Sequence, residues 1–222
     1  MDAITTAAKA FPITEFRFTR DARKNMSACS FALVGSSKSG KTTFLKHLLK
    51  TNFQNDIKCL FTQSLHNDIY TTMRSEFCVA PGYIPEVIKT MYRINRDTTN
   101  HYEFCVVLDD LIGAKTDAQM TKLLCLYRNS GMSAIVSGQD LTLLSPTGRA
   151  NVNYVCLFYQ NTDARVEDNV KAFLRSFFPR NLTMNEKIAL YKELTKDHCF
   201  LFINNLENTI IRCRLKEAQL SD

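Results

Sequence analysis

The sequence lacks the residue spacings that would indicate a zinc site. It has eight cysteines, but they form no Cys-x-x-Cys pair and are accompanied by no His-x-x-x-His pair. Most of them lie inside apolar runs such as EFCVVL and YVCLFY. This placement predicts buried free thiols, and free thiols indicate a reducing compartment.

Long hydrophobic segments are missing as well. No apolar run approaches the ~20 residues of a membrane-spanning helix. The first residues, MDAITTAAKAFP, have neither the basic start nor the apolar core of a secretory signal peptide. We therefore expect no membrane contact and a protein of cytosolic character.

Charge of one sign is not dominant, although the formal net charge is +6. One basic cluster consists of Arg17, Arg20, Arg23 and Lys24. A second basic region, with acidic residues interleaved, contains Lys171, Arg175, Arg180, Lys187, Lys192 and Lys196. This balance permits a nucleic acid partner bound through its phosphates, but many proteins that bind no nucleic acid are equally basic.

The composition is that of an ordinary globular protein. Of the 222 residues, 45% are hydrophobic and 23% are charged, so the chain can bury a core without disulfides. Short apolar runs rich in β-branched and aromatic residues recur at 31–35, 57–62, 104–109, 133–137 and 152–159. Helical periodicity follows the first run at 41–50 and precedes the fourth at 117–128, where Asp117 is suited to cap the helix and Gly131 to stop it.

Strands that are apolar throughout and alternate with helices predict an α/β fold. Its central sheet would be mainly parallel and covered by helices on both faces. Two more helical patterns follow at 164–178 and 184–195. The runs HCFLFI and TIIRCRL, separated by NNLEN, then predict a closing β-hairpin.

The stretch GSSKSGKT at 35–42 matches the P-loop pattern G-x-x-x-x-G-K-[ST]. It stands between a predicted strand and a predicted helix, as a P-loop requires. Backbone N–H groups of such a loop surround phosphates, and the helix N-terminus adds its positive end. We expect Lys41 to neutralise β and γ oxygens of ATP and the Thr42 hydroxyl to hold Mg²⁺. The predicted cofactor-binding residues are Gly35, Ser36, Ser37, Lys38, Ser39, Gly40, Lys41, Thr42 and Thr43.

The sequence also predicts how the chain is divided into segments. We predict a single P-loop domain over 1–222. It would have a possible N-terminal arm at 1–25, a nucleotide-binding core at 26–160, and C-terminal helices and a hairpin at 161–222.

Two acids follow the third apolar run, in FCVVLDDL. A run of apolar residues ends at Asp109, whose carboxylate should emerge at the carboxyl end of a central strand, where open α/β sheets bind ligands. We expect Asp109 to reach the Mg²⁺ through its water shell. Asp110 would then be the base or orienter for the attacking water. The alternative for Asp110 is a cap on the following turn.

Gln139 follows the fourth apolar run, in SAIVSGQD. Its amide can donate to a γ-phosphate and accept from water, so it can act as a sensor; the alternative is an ordinary polar loop residue. In P-loop proteins that hydrolyse ATP for motion, the sensor strand follows the strand of the acids in the chain. In the sheet it lies between that strand and the P-loop strand, and the chain order here fits this plan.

Arg128, in LYRNSG, is a candidate arginine finger. Such a residue stabilises the transition state in a neighbouring subunit, an effect of ~10³ or more in rate. The alternative is an arginine that stabilises the negative end of its own helix. Arg149 and Arg165 are rival candidates.

The P-loop (Walker A), the Asp-Asp pair (Walker B) and the strand ending in SGQD resemble the FtsK and HerA branch of P-loop ATPases. More narrowly, the chain is similar to the compact genome-packaging ATPases of poxviruses, other large double-stranded DNA viruses and virophages. RNSGMSAIVSGQD, LYKELTKDHCFLFINN and TIIRCRL carry this likeness, which covers roughly 31–215. Many relatives have Glu where Asp110 stands.

The resemblance implies a homo-oligomeric ring of five or six subunits that threads double-stranded DNA into a preformed capsid at the expense of ATP. Lys41 and Thr42 would hold the nucleotide and Mg²⁺, Asp109 and Asp110 would form the Walker B pair, and Gln139 would be the sensor. The capsid or its portal vertex would be a partner. The protein would act in the cytoplasm, at the site of virus assembly, or in the virion.

Other functions remain open at this stage. A small-molecule or nucleoside kinase also needs a P-loop, and RSFFPRN would be its arginine-bearing lid. A nucleotide-dependent interaction module without catalysis is a third possibility. A GTPase is disfavoured because the sequence has no Asn-Lys-x-Asp base reader. For DNA contacts, Lys115 is one loop candidate.

Overall fold

The computed structural model describes residues 3–20, 28–64, 70, 77–99, 102–111, 118–139 and 145–216. Some residues of the sequence analysis therefore lie outside the described residues: Arg23, Lys24, Lys115, Asp117 and the side chain of Arg165.

Within the described ranges, one sheet of nine strands forms the centre of the molecule. The strands are β1 Ile13–Glu15, β2 Ser30–Val34, β3 Ile57–Thr62, β4 Phe77–Pro81, β5 Phe104–Asp109, β6 Met132–Gly138, β7 Tyr154–Leu157, β8 Phe200–Asn204 and β9 Thr209–Arg214. Their order is β1-β9-β8-β7-β2-β6-β5-β3-β4. Only the β7–β8 and β8–β9 pairs are antiparallel. The predicted α/β fold with a mainly parallel sheet is confirmed, as is the position of β6 between β5 and β2.

The helices of the described residues are α1 Ala3–Ala8, α2 Lys41–Thr51, α3 Pro85–Asp97, α4 Ala118–Cys125, α5 Pro146–Asn151, α6 Asp163–Phe177 and α7 Met184–Leu194, with a 3₁₀ turn at Tyr127–Ser130. A capping box between Thr183 and Glu186 fixes the start of α7. Gly131 ends the 3₁₀ turn with a φ of 69°, which favours glycine. The stop expected at this glycine is therefore present.

Two hydrophobic clusters pack on the two faces of the sheet. One, beneath α2, is aromatic and includes the fully buried rings of Phe31, Phe44 and Phe200. The other is mainly aliphatic and lies beneath α3, α4, α6 and α7. At roughly 1.5–3 kcal/mol for each fully buried large side chain, these clusters dominate the stabilisation of the fold.

The N-terminal segment contacts the rest of the domain. β1 pairs in parallel with β9, and Phe16 is buried against Phe44 with ring centroids 4.8 Å apart. The Phe11 ring lies 5.5 Å from that of Phe178. Sequence patterns did not predict α1 or β1, because three exposed or half-exposed residues of an edge strand carry no periodicity.

The direction of the strands defines two edges of the sheet. We call the edge where β2, β5, β6 and β7 end the carboxyl edge, and the edge where they begin the amino edge. Because β8 is antiparallel to β7, it begins at the carboxyl edge, and β9 ends there, with Phe200 opposite Cys213. The two outer ends of the C-terminal hairpin therefore lie at the edge where the P-loop follows β2.

The eight cysteines are free thiols, and six of them are buried. Burial raises the pKa of the Cys29 and Cys213 thiols to about 12. None of the helices in the described ranges is long and apolar enough to cross a membrane.

Candidate functional site

Two glycines shape the loop between β2 and α2, each for a different reason. A Cβ on Gly35 would lie 2.6 Å from the Phe158 Cβ and 2.7 Å from the Ser39 Oγ, so no side chain fits there. Gly40 has open space but a φ of 98°, which disfavours residues with a Cβ. It is the N-cap of α2, so the loop leads directly into the positive end of that helix.

Lys41 lies beneath this loop and is only 5% exposed. Its ammonium donates to the carbonyl oxygens of Gly35 at 2.7 Å and Ser36 at 2.9 Å. Burial lowers the pKa of Lys41, while the charges of Asp110 and Asp109 counteract that shift. Two of the three ammonium N–H groups are thus used to hold the loop closed over the lysine.

Asp109 ends β5 and is 2% exposed. Its Oδ2 accepts a hydrogen bond from the Tyr70 hydroxyl. Its Oδ1 is buried and has no hydrogen-bond partner among the described residues. The Ser137 hydroxyl is near enough to favour the charged form, yet the two groups form no hydrogen bond of normal geometry. Burial raises the pKa of Asp109, and the orphaned oxygen fits a cation or its water shell.

Asp110, the next residue, has a φ of 45°. Its backbone N–H donates to the Ser137 carbonyl at 3.0 Å, which ties it to the neighbouring strand. A left-handed backbone is uncommon for residues with a side chain, although Asp and Asn tolerate it best. This bend sends the chain out of the sheet at the point where its carboxylate lines the cleft described next.

A cleft of about 700 Å³ opens at the carboxyl edge. One end is lined by Asp110 and by loop and helix residues Ser37, Lys38, Gly40, Lys41, Thr42 and Thr43. The other end is lined by Asp197, His198, Phe200, Arg214 and Leu215, from the two outer ends of the C-terminal hairpin. No sequence motif pointed to this second group, because its members stand more than 150 residues after the P-loop.

Gln139 follows β6 at the carboxyl edge, where Gly138 accepts a hydrogen bond from the Gly35 N–H at 3.2 Å. The fully buried Gln160, which sequence patterns did not single out, joins this strand end to the loop. Its Oε1 accepts from the Ser36 hydroxyl, and its Nε2 donates to the Gln139 carbonyl, both at 3.1 Å. A shift of the Gln139 backbone would therefore be transmitted to the first turn of the P-loop.

The candidate arginines lie elsewhere. Arg128 belongs to the 3₁₀ turn just before β6, and Arg149 to the helix just before β7, so both lie at the amino edge. Arg128 is close enough to Cys29, beside the start of β2, to influence its thiol. Neither arginine can reach the cleft of its own subunit. Arg165 stands in the first turn of α6, after β7 has ended at the carboxyl edge.

The residues present fit a bound nucleotide and Mg²⁺. The described residues contain no cluster of three His, Cys, Asp or Glu side chains that could hold a metal by themselves. Mg²⁺ sites of nucleotide enzymes need only one or two protein oxygens, since phosphates and water supply the rest. Asp109 and the Thr42 hydroxyl, which lines the cleft, meet that need.

Comparison with solved structures identifies proteins of the same fold. The genome packaging NTPase B204 of Sulfolobus turreted icosahedral virus 2, in complex with sulfate, aligns with a TM-score of 0.60 at 16% identity, covering 85% of this chain and 97% of that one. The DNA-packaging ATPase B204 of Sulfolobus turreted icosahedral virus aligns with a TM-score of 0.60 at 12% identity, covering 85% and 98%. The conjugation coupling protein TcpA of pCW3 gives a TM-score of 0.53 at 15% identity, covering 83% and 59%.

Sequence comparisons give a family. A search of curated proteins finds no match to this chain. The family model described as "Poxvirus A32 protein" matches residues 15–205, from the end of β1 to just beyond β8. The match includes the P-loop, both acids and the sensor strand, and the chain therefore belongs to the poxvirus A32 protein family.

Proposed function

We propose that this protein is an ATP-hydrolysing motor that translocates double-stranded DNA into a viral capsid. The observation that carries the proposal is the cleft that Lys41 and Asp110 share, next to buried Asp109, with β6 inserted between β5 and β2, the strand that leads into the P-loop. Family membership and the fold of the packaging ATPases support it. In that fold, B204 complexes with AMP, AMPPCP and ATP-gammaS are known.

The fold does not support the kinase alternative. Its imagined lid, RSFFPRN, spans the end of α6 and the following turn. Since α6 leaves the carboxyl edge after β7 and α7 returns there before β8, the turn between these helices lies toward the amino edge. None of the lid residues lines the cleft.

The loop and Lys41 bind the phosphates. Backbone N–H groups of the loop and the positive end of α2 attract the negative charge. The Lys41 ammonium, held against the Gly35 and Ser36 carbonyls, keeps a third N–H for a phosphate oxygen. Burial strengthens this interaction, because the charges are only weakly screened by water.

Asp109 and Thr42 would hold the metal. When bound there, the metal would supply positive charge that offsets the charge developing on the phosphate oxygens. Asp109 is fixed by Tyr70 on one oxygen and presents the other without a protein partner among the described residues. Burial raises the pKa of Asp109. A cation beside the carboxylate would favour its charged form and so offset the effect of burial on the pKa.

Asp110 prepares the water. Its carboxylate orients a water molecule for in-line attack on the γ-phosphorus and accepts the proton that the water loses as the new P–O bond forms and the bond to the β-phosphate oxygen breaks. Gln139 would respond to the presence of the γ-phosphate. Gln160 would pass that response to Ser36 of the loop through its two hydrogen bonds.

The remaining part of the proposal concerns contacts between subunits and with other molecules. Arg128 at the amino edge would complete the site of the next subunit in a ring of five or six, with Arg149 and Arg165 as rivals. DNA would be bound through phosphates, with little reading of bases, since a motor must accept any sequence. The capsid or portal vertex would anchor the ring, in the cytoplasm or in the virion.

The deciding measurement is steady-state ATP hydrolysis by the full chain, with and without long duplex DNA, at low and moderate salt. Strong stimulation by DNA that weakens as salt rises is the expected result, because salt competes for the phosphate contacts. If DNA does not stimulate ATP turnover but a nucleoside acceptor does, the protein is a kinase and not a motor. Lys41→Ala, assayed in parallel, controls for contaminating ATPases.

A further inference from the structure

The two ends of the cleft come from different parts of the chain. The P-loop, the start of α2 and Asp110 account for the phosphate end. The second end consists of Asp197 and His198, just before β8, and Arg214 and Leu215, at the end of β9. A cleft of about 700 Å³ is of the size that binds a whole small ligand, not only its phosphates.

Strand direction explains why these residues face the P-loop. β7 runs parallel to β2, and β8 runs antiparallel to β7, with Leu201 opposite Leu157. The residues before β8 and those at the end of β9 therefore meet the residues that follow β2. This relation follows from the order and direction of the strands, which fix the edge of the sheet at which each strand begins or ends.

The chemistry of the second wall suits a nucleoside. Its floor is apolar, because the stacked rings of Phe158 and Phe200 lie 5.0 Å apart and Leu215 is 8% exposed. Above it stand the exposed side chains of His198 and Arg214, both able to stack on a base, and the Asp197 carboxylate, able to accept from ribose hydroxyls.

The backbone here is held in an unusual conformation. Asp197 and His198 are consecutive residues with φ values of 53° and 59°. The Cys199 N–H donates to the Lys196 carbonyl at 3.0 Å and closes the turn around them. Strained backbone of this kind persists where the surrounding structure fixes it, and it is frequent at ligand clamps.

From the cavity, the topology and these side chains, we infer that the second end of the cleft binds the nucleoside half of the nucleotide. His198 and Arg214 hold the base, and Asp197 holds the ribose. This inference rests on the proposed function, because it assigns the other end of the cleft to the phosphates. It makes the C-terminal hairpin a part of the nucleotide site.

The test compares three probes that differ in the groups they present: AMP, ATP-gammaS and inorganic tripolyphosphate, each with Mg²⁺ and the full chain. Binding is measured by calorimetry on the parent, His198→Ala, Arg214→Ala and the double variant. Arg180→Ala, which removes an exposed arginine away from the cleft, is the matched control. Thermal unfolding is recorded for every variant, and the exposed positions of both side chains make normal folding the expectation.

The double variant should bind AMP at least tenfold more weakly and ATP-gammaS several-fold more weakly, while its affinity for tripolyphosphate changes less than twofold. Unchanged AMP binding would overturn the inference and leave the proposed function standing. An equal loss for AMP and tripolyphosphate would also overturn it, because the side chains would then act only through charge on the phosphates. A parent that binds none of the probes would overturn both proposals.

Discussion

The two edges of the sheet differ in what they contain. The carboxyl edge brings the P-loop, Asp109 and Asp110 together around a cleft, with Lys41 and Asp109 almost fully buried. The amino edge carries the candidate groups Arg128 and Arg149, which are partly or fully exposed. Side chains at the carboxyl edge therefore face a common cleft, whereas Arg128 and Arg149 lie at the surface of the opposite edge.

Each edge also has a buried amide side chain that links neighbouring segments. At the carboxyl edge, buried Gln160 links the P-loop to β6. At the amino edge, the fully buried Asn95 accepts from the Tyr102 N–H at 3.0 Å and donates to the Tyr102 and Ser130 carbonyls. This second link holds the 3₁₀ turn that carries Arg128, so the turn is fixed although the arginine itself is accessible.

The largest expected effect comes from removing the Lys41 ammonium group from the carboxyl edge. Lys41→Ala should lower ATP turnover by more than ~10³-fold, because the phosphates lose a buried positive charge and two loop carbonyls lose their donor. Turnover and ATP-gammaS binding are measured together. Turnover within tenfold of the parent would show that this edge is not the reaction site.

Arg128→Ala tests the amino edge and should lower turnover by up to ~10³-fold. Because Arg128 cannot reach its own cleft, mixing this variant with Lys41→Ala should restore part of the activity. One subunit then supplies an intact P-loop and its neighbour an intact arginine. Arg149→Ala treated identically is the comparison. If mixtures show only the sum of the separate activities, Arg128 does not act between subunits.

Asp110→Asn tests whether the charge of Asp110 is needed for turnover at the carboxyl edge. Asn tolerates the left-handed backbone as Asp does, so the substitution removes the charge without adding strain. We expect turnover to fall by ~10²-fold or more, while ATP-gammaS affinity stays within a few-fold. Equal turnover of variant and parent would leave Asp110 with the role of a turn cap.

The smallest expected effect is on stability. Burial raises the pKa of Asp109 above its ordinary value of 3.8, so the folded state holds this proton more tightly than the unfolded state. The contribution to stability is therefore full at acidic pH and is lost as pH rises through the folded pKa. At pH 7 the charged, buried carboxylate destabilises the protein when no metal is bound.

Asp109→Asn should thus raise the unfolding midpoint at pH 7, in the presence of a chelator, by about 2–4 °C, or ~1 kcal/mol, although it removes hydrolysis. The gain should shrink toward acidic pH, where Asp109 is neutral in both states. Asp97→Asn, at an exposed acid, should leave the midpoint unchanged. A lower midpoint for Asp109→Asn would mean that the charged form is already compensated in the fold.

Much of the carboxyl edge could be predicted from sequence because its parts are contiguous. The P-loop is one stretch, and Asp109 and Asp110 end a run of apolar residues, so the motif and the strand end coincide. Chain order, compared with other P-loop proteins, predicts β6 between β5 and β2, and the sheet confirms this position. The sequence patterns predict neither β4 nor α3; β4 is an edge strand whose residues alternate irregularly between buried and exposed.

What the sequence by itself determined, then, is the family, the α/β fold and the P-loop end of the cleft. Short-range patterns are sufficient for these, because loop chemistry and hydrophobic periodicity act between near neighbours in the chain. Only the tertiary structure brought Gln160 to Ser36, placed Arg128 at the opposite edge from Lys41, and completed the cleft with His198 and Arg214. Those relations depend on strand order and on the reversal of direction at β8, which bring together residues that are far apart in the chain.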